Sequence, residues 1–180
     1  MALTSTQHVF DVDLADVDRG VYETLSLKVA RHPSESVEYL VARVLAYALE
    51  YTEGIAFTSG LSNGDDPALW VRDLTGALQA WIEIGAPAAD RLHKASKACD
   101  RVAVYCHKDI GSFLRNVSGA RMHAPERVAI VELDRDLIDA LAAKLERRTR
   151  WTVSVNEGEI YVEVGGESVH ATLHRHAWPE

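Results

Sequence analysis

Cysteine is scarce: Cys99 and Cys106 are the only two in 180 residues. Their separation is not the short CxxC of metal and redox motifs, so no disulfide framework or zinc ribbon is indicated. Both thiols are expected to be reduced and partly buried in a core. Long apolar runs are missing too. Nowhere do about 18 apolar residues follow one another, and the opening MALTSTQHVFDVDLADVD has neither a basic n-region nor an apolar h-region. A cytoplasmic protein with no membrane association is expected. Positive charge is in deficit, with 19 Lys and Arg against 27 Asp and Glu, a net charge of -8 and a pI near 5.5. That balance excludes strong sequence-independent attraction to phosphate backbones over the whole surface, while leaving local basic patches open. The chain holds no glycine-rich phosphate loop, no Ser-His-Asp order, no internal repeat, no low-complexity tract and no interdomain linker. With 47% hydrophobic and 26% charged residues, it has the composition of one globular domain spanning residues 1–180.

What is present reads as alternating strands and helices. Residues 8–14 and 21–29 alternate apolar and polar, and Asp16-Val17-Asp18-Arg19-Gly20 between them has turn chemistry, which predicts an opening hairpin. Pro33 ends the extended segment, Ser34 is placed to cap a helix, and Val37, Leu40, Val41, Val44, Leu45 and Ala48 recur at helical spacing. Residues 53–66, EGIAFTSGLSNGDD, form a glycine- and serine-rich loop with a short extended piece at 55–58, a rim for a cleft. A second hairpin follows, Leu69–Asp73 and Ala77–Ile84 around the type I turn Asp73-Leu74-Thr75-Gly76. After Gly85 and Pro87 comes a helix with Leu92, Ala95 and Ala98 as its buried stripe. Further on the pattern predicts a buried strand at 101–106, a short helix at 110–117 and a strand at 128–133. Asp134 and Asp136 are placed to cap a helix over 137–145 whose end carries Lys144, Arg147 and Arg148. A three-strand meander closes the chain. The expected architecture is a single three-layer α/β domain, one mixed β-sheet flanked by helices. Its core is expected to hold Val37, Val41, Val44, Leu69, Val71, Val102, Val104, Ile130 and Leu141.

The densest chemistry falls between Gly64 and Lys97. Asp66 stands just ahead of the first strand of the second hairpin, and Glu83 near the end of the next strand, on the same face as Trp81. Phosphodiester hydrolysis by a divalent metal needs hard oxygen ligands and gains from a cation near the phosphate. Asp66 and Glu83, with Glu38 from the first helix and Lys94 from the helix after Pro87, supply such a set. The plainer reading of Glu38 is a solvated first-turn carboxylate favoured by the helix dipole. His170, His174 and His176 alternate along one expected strand and could bind a transition metal, though a solvated face is the simpler account. Trp70 and Trp81 could stack bases but read first as core.

The segments ARHPSES at 30–36, IAFTSGL at 55–61, DDPALWVRDLTG at 65–76, WIEIGAP at 81–87 and RLHKASKA at 91–98 resemble the YaeQ family of bacterial proteins, and the likeness runs from end to end. The resemblance implies a cytoplasmic domain with the restriction-endonuclease-like fold of PD-(D/E)xK nucleases. In that superfamily an acid on the first helix, an Asp before one hairpin strand and an acid on the next bind Mg²⁺, and a Lys two residues later orients water. Glu38, Asp66 and Glu83 match the acids in order, with Asp65 as a neighbouring candidate. The pattern departs at Gly85, where the motif has Lys, and at Asp66, which precedes Pro67 where the motif has Pro before Asp. Lys94 is the expected substitute for the motif lysine, and Arg91 the other candidate. The implied function is a nuclease-like protein using Mg²⁺ or Mn²⁺ on nucleic acid. The alternative is a non-catalytic scaffold that keeps the fold and contacts transcription or repair machinery as a protein partner.

Overall fold

The computed structural model describes residues 4–59 and 63–180. Gly60, Leu61 and Ser62, part of the expected cleft rim, lie outside the described residues, as do Met1–Leu3. The chain is a single α/β domain with mixed sheets and four α-helices among those residues. The strands form two sheets where one was expected, and the chain divides into two compact units, Met1–Tyr51 with Asp134–Leu173 and Thr52–Leu133 with His174–Glu180.

In the first unit, alternation along the sequence becomes two long antiparallel strands, β1 (Thr6–Asp16) and β2 (Val21–Arg31), with Phe10 opposite Leu27 and Val12 opposite Leu25. Their turn ends on Gly20 at φ +67°, a conformation that strains any residue with a β-carbon. Helix α1 (Val37–Leu49) buries Leu40, Val41, Val44, Leu45 and Ala48. Its cap is Ser36, whose Oγ accepts from Tyr39 N at 3.0 Å, and not Ser34, whose hydroxyl is 2.6 Å from His32 Nδ1. A turn closed by Glu35 N on His32 O delays the helix by those two residues. No basic residue stands in the last turn of α1. Arg19 from the hairpin turn takes that part, donating to the carbonyls of Ala48 and Tyr51 at 3.2 and 2.9 Å while its Nε holds Asp16. Arg43 is buried within α1, which is tolerable because its guanidinium meets the Glu35 carboxylate at 3.3 Å and donates to Ala30 O at 2.8 Å.

Helix α4 (Arg135–Ala143), capped by Asp134 through Leu137 N, leads to β8 (Arg148–Asn156). Lys144 is the C-cap of α4, and the expected last-turn role of Arg148 is lost to β8, where it pairs with Asp11. β8 runs parallel to β1, and Trp151 meets Phe10 edge-on at 5.1 Å. β9 (Glu159–Val164) and β10 (Glu167–Thr172) complete the expected meander, so this sheet is ordered β10-β9-β8-β1-β2.

The second unit is the one that positions the site. β3 (Ile55–Phe57), β4 (Leu69–Arg72) and β5 (Leu78–Ile84) are antiparallel neighbours. β5 then pairs in parallel with β6 (Arg101–Cys106), and β6 with β7 (Val128–Glu132), through crossovers by α2 (Ala89–Ala98) and α3 (Ile110–Val117). The continuous apolar run RVAVYC becomes the inner strand, as buried parallel strands require. Leu92 and Ala95 of α2, with Phe113 and Val117 of α3, close over Val102, Val104 and Ile130. Ser96 is buried in place of the expected Ala98, which is exposed. β11 (His174–His176) adds antiparallel to β7. His170 on β10 and His174 and His176 on β11 thus stand in different sheets, and no shared strand face joins the three. The division falls at Leu173, which still bonds to Gly158 O. Both cysteines are free and buried.

Of the nine expected core residues, eight are buried and Val37 is half-buried, but they divide between the two units. Among the described residues no helix is long and apolar enough to cross a membrane. Leu141→Ala in one unit and Ile130→Ala in the other, both at 0% exposure, are each expected to lower the unfolding free energy by about 2–5 kcal/mol in urea denaturation.

Candidate functional site

Trp81 and Glu83 lie two residues apart on β5 and so share a face of the pleat. The indole Nε1 of Trp81 donates to Glu83 Oε1 at 2.7 Å. Arg91, in the first turns of α2, donates from Nε to the same oxygen. Its other two nitrogens, Nη1 and Nη2, donate to the backbone carbonyls of Gly64 and Asp66. One guanidinium therefore ties strand, helix and the loop ahead of β4 together, and its carbon lies 5.7 Å from the Trp81 ring centre. Glu83 is only 6% exposed, yet Oε2 makes no hydrogen bond among the described residues. Burial pushes the Glu83 carboxyl above its ordinary 4.5, against the opposing pulls of Trp81 and Arg91.

Asn63 shapes the loop that carries the second acid. Its side chain accepts from Asp65 N at 3.1 Å and donates to Asp66 Oδ2 at 2.9 Å, an Asx-type turn that follows from the residue type. Thr58 fixes the far side by donating to the carbonyls of Pro67 and Ala68. Asp66 is half-buried, with Oδ1 uncommitted among the described residues, and Asp65 is exposed. The expected turn at 73–76 is present, closed by Gly76 N on Asp73 O at 2.9 Å.

The structure thus brings Glu83, Arg91 and the Asp66 loop together. Glu38 sits half-buried in the first turn of α1, in the first unit. Lys94 is exposed on α2 and its side chain makes no hydrogen bond or ion pair among the described residues. The cation on Glu83 is Arg91. Sequence spacing left both open, because two side chains three residues apart lie on adjoining faces of one helix and only the helix's rotation decides between them.

Gly85 has a backbone explanation. Its N–H continues the parallel ladder onto Tyr105 O at 2.9 Å while φ is +93°. A β-carbon there would meet His107 Cε1 at an ordinary 3.8 Å, so conformation and not space demands glycine. A lysine at this position would sit in a strained backbone. His107 itself is buried beside Gly85, and no sequence signal marked it. Trp70 and Trp81 face each other across β4 and β5 and are half-buried, with Arg72 4.3 Å over Trp70. Among the described residues no three His, Cys, Asp or Glu are grouped as ligands of one metal ion.

This arrangement defines a class first: an α/β protein with a buried carboxylate and an arginine at the end of a parallel strand. The family follows from the sequence as a whole. A model of the YaeQ protein family matches residues 1–173, and the chain belongs to that family. It is 28% identical to the YaeQ protein of Escherichia coli (strain K12) over 176 residues, 96% of each chain. It is 37% identical to that of Salmonella typhi over 107 residues, 59% of each. The crystal structure of YaeQ protein from Pseudomonas syringae matches with a TM-score of 0.86 at 34% identity, covering 95% of each chain. That from Xanthomonas axonopodis pv. citri matches with 0.86 at 33%, covering 98% of this chain and 100% of the other.

Two outcomes follow from the local geometry. Gly85→Ala is expected to cost about 1–2 kcal/mol of stability by forcing a β-carbon into positive φ. Glu83 binds its proton more tightly folded than unfolded, so its charging opposes folding as pH rises through the window just above 4.5. Glu83→Gln is expected to abolish that loss, so the stability difference between variant and wild type shifts in the variant's favour as pH rises through that window. Thermal melts across the window check the sign.

Proposed function

We propose that this chain is a metal-dependent, nuclease-like protein that hydrolyses phosphodiester bonds of nucleic acid in the cytoplasm, on a restriction-endonuclease-like fold. The observation that carries the reading is the Arg91 clamp, which brings the loop of one hairpin acid beside the buried carboxylate of the other. The donor chemistry fits a hard divalent ion. Glu83 Oε2 and Asp66 Oδ1 are uncommitted among the described residues, and Mg²⁺ is commonly held by one or two carboxylates with waters and substrate phosphate filling the rest. Glu38, the third acid that the resemblance implies, stands on α1 in the first unit. Bound Mg²⁺ or Mn²⁺ supplies Lewis acidity and a water of lowered pKa.

The chain's own residues do the remaining work. Glu83 and Asp66 present oxygens, and Trp81 orients Glu83 by occupying Oε1. Arg91 supplies the positive charge for the phosphate while its three nitrogens stay on Glu83, Gly64 and Asp66. In this reading Arg91, not Lys94, takes the place of the motif lysine, because Gly85 cannot and Lys94 has no contact with Glu83. With Mn²⁺ and labelled DNA or RNA, Glu83→Gln is expected to abolish cleavage and Arg91→Ala to lower it by about 10²-fold. Lys94→Ala is expected to have a far smaller effect, and the reverse ranking would make Lys94 the cation. Mn²⁺ is also expected to raise the melting temperature of wild type and not of an Asp66→Ala, Glu83→Gln variant, since it binds only the folded site.

A second reading is favoured by Gly85 and by the neutralisation of Glu83 by Arg91: a non-catalytic scaffold that contacts transcription or repair machinery. Wild-type protein that cleaves no DNA or RNA with either metal would put this reading first.

A further inference from the structure

The acidity of the chain is unevenly held. Residues of the first unit include nine Lys and Arg against sixteen Asp and Glu, whereas the second has ten against eleven. In the first unit Arg19, Arg43, Lys144, Arg148 and Arg150 pair with carboxylates, while Lys28, Arg135 and Arg147 are exposed, with no side-chain ion pair or hydrogen bond among the described residues, and stand on β2, on α4 and between α4 and β8. In the second, Lys94, Lys97 and Arg121 are exposed and their side chains make no ion pair or hydrogen bond among the described residues. An isolated cation on a surface means little, but these are grouped. The segment 121–123 is fastened to α2 by His123 N on His93 Nδ1 at 3.0 Å and by Ser96 Oγ against Met122 Sδ at 3.5 Å. Desolvation, then the charges of Lys97, Arg121 and His123, hold the His93 imidazole below its usual range, with Asp90 opposing. Those groups therefore share one patch.

The helix extends the patch to the site. At 3.6 residues per turn, Arg91, Lys94, Lys97 and His93 follow one another around α2, on the side away from buried Leu92, Ala95 and Ser96. Asp90 is the one carboxylate on that arc. From Arg91 to Lys97 is about 9 Å along the axis, a length of two to three nucleotide steps at about 3.4 Å each.

We propose that the outer face of α2, with Arg121 and His123 beside it, is a binding track for the phosphodiester backbone of nucleic acid, leading away from Arg91 and Glu83. The choice of nucleic acid over another polyanion rests on the function proposed above. The track itself is a statement about unneutralised cations in one place on an acidic protein, where neutralising successive phosphates releases the counterions condensed on a nucleic acid.

The test is anisotropy of fluorescein-labelled single-stranded DNA, duplex DNA and RNA of one sequence, titrated with the full chain in EDTA so that cleavage plays no part. Wild type is expected to bind at least one of them, more weakly as NaCl rises. The Lys97→Gln, Arg121→Gln variant is expected to lose about tenfold or more in affinity at low salt, with a shallower log K against log salt slope by roughly 0.7–0.9 per phosphate contact removed. Arg148→Gln, Arg150→Gln makes the same change of net charge in the first unit and is expected to stay within about twofold of wild type. Equal losses in the two variants, no binding of any oligonucleotide, or equal binding of a poly-glutamate chain overturns the track. If wild type binds through these residues yet never cleaves with Mn²⁺, the track stands and the nuclease reading falls. If it cleaves while the Lys97, Arg121 variant binds unchanged, the nuclease reading stands and the track falls.

Discussion

A guanidinium can donate in three directions within one plane, and Arg91 uses all three. Its bonds to Glu83, Gly64 and Asp66 join a strand, a helix and a loop that are separated in sequence by up to 27 residues. Without it a carboxylate 6% exposed would lack its charge partner, and the cost of burying an uncompensated charge is several kcal/mol. The loop before β4 would also lose two of its carbonyl anchors. Lysine could not serve here, since a single ammonium on a flexible stem does not present a fixed fork. The same bonds raise the central chemical tension of the site. Arg91 balances Glu83, and a divalent ion at Oε2 would meet both a ligand and a like charge.

The parallel arrangement of β5, β6 and β7 explains why the site lies where it does. Parallel strands need crossover helices, and α2 is the crossover that leaves β5. A residue near the end of β5 and a residue at the start of α2 are thereby close in space and in sequence, with Gly85 and Pro87 between them. Gly85 serves this geometry by holding the ladder to Tyr105 at a positive φ as the chain turns away. The cation beside Glu83 comes from α2, the element that follows this turn.

The first unit is built on a different constraint, the parallel pairing of β1 with β8, strands nearly 140 residues apart. It puts Trp151 against Phe10 and leaves Asp11 and Asp13 facing Arg148 and Arg150 on the exposed side. Exposed pairs of this kind add little stability. Their effect is to leave few free cations on that sheet, whereas α2 keeps Lys94 and Lys97 exposed and without a side-chain partner among the described residues.

The elements were legible because their causes are local. Alternation marked β1, β2, β8, β9 and β10, helical spacing marked α1, and Asp-x-x-Gly marked the turn at 73–76, each within a few residues of the final boundaries. The continuous run RVAVYC also identified its own burial. Asp66 and Glu83, with Lys94 ahead of Arg91, were singled out as candidates because residue type and order carry chemistry before any folding. What the sequence could not decide is pairing and facing. Periodicity assigns a strand but not its partner, so one sheet was expected where two exist, and His170 was grouped with His174 and His176 across a division that falls at Leu173. Helical spacing places Arg91 and Lys94 on adjoining faces, but which one meets Glu83 depends on how α2 rolls as Leu92 and Ala95 pack against β6. The positive φ of Gly85 likewise follows from the ladder to Tyr105, a contact 20 residues away that no local pattern encodes.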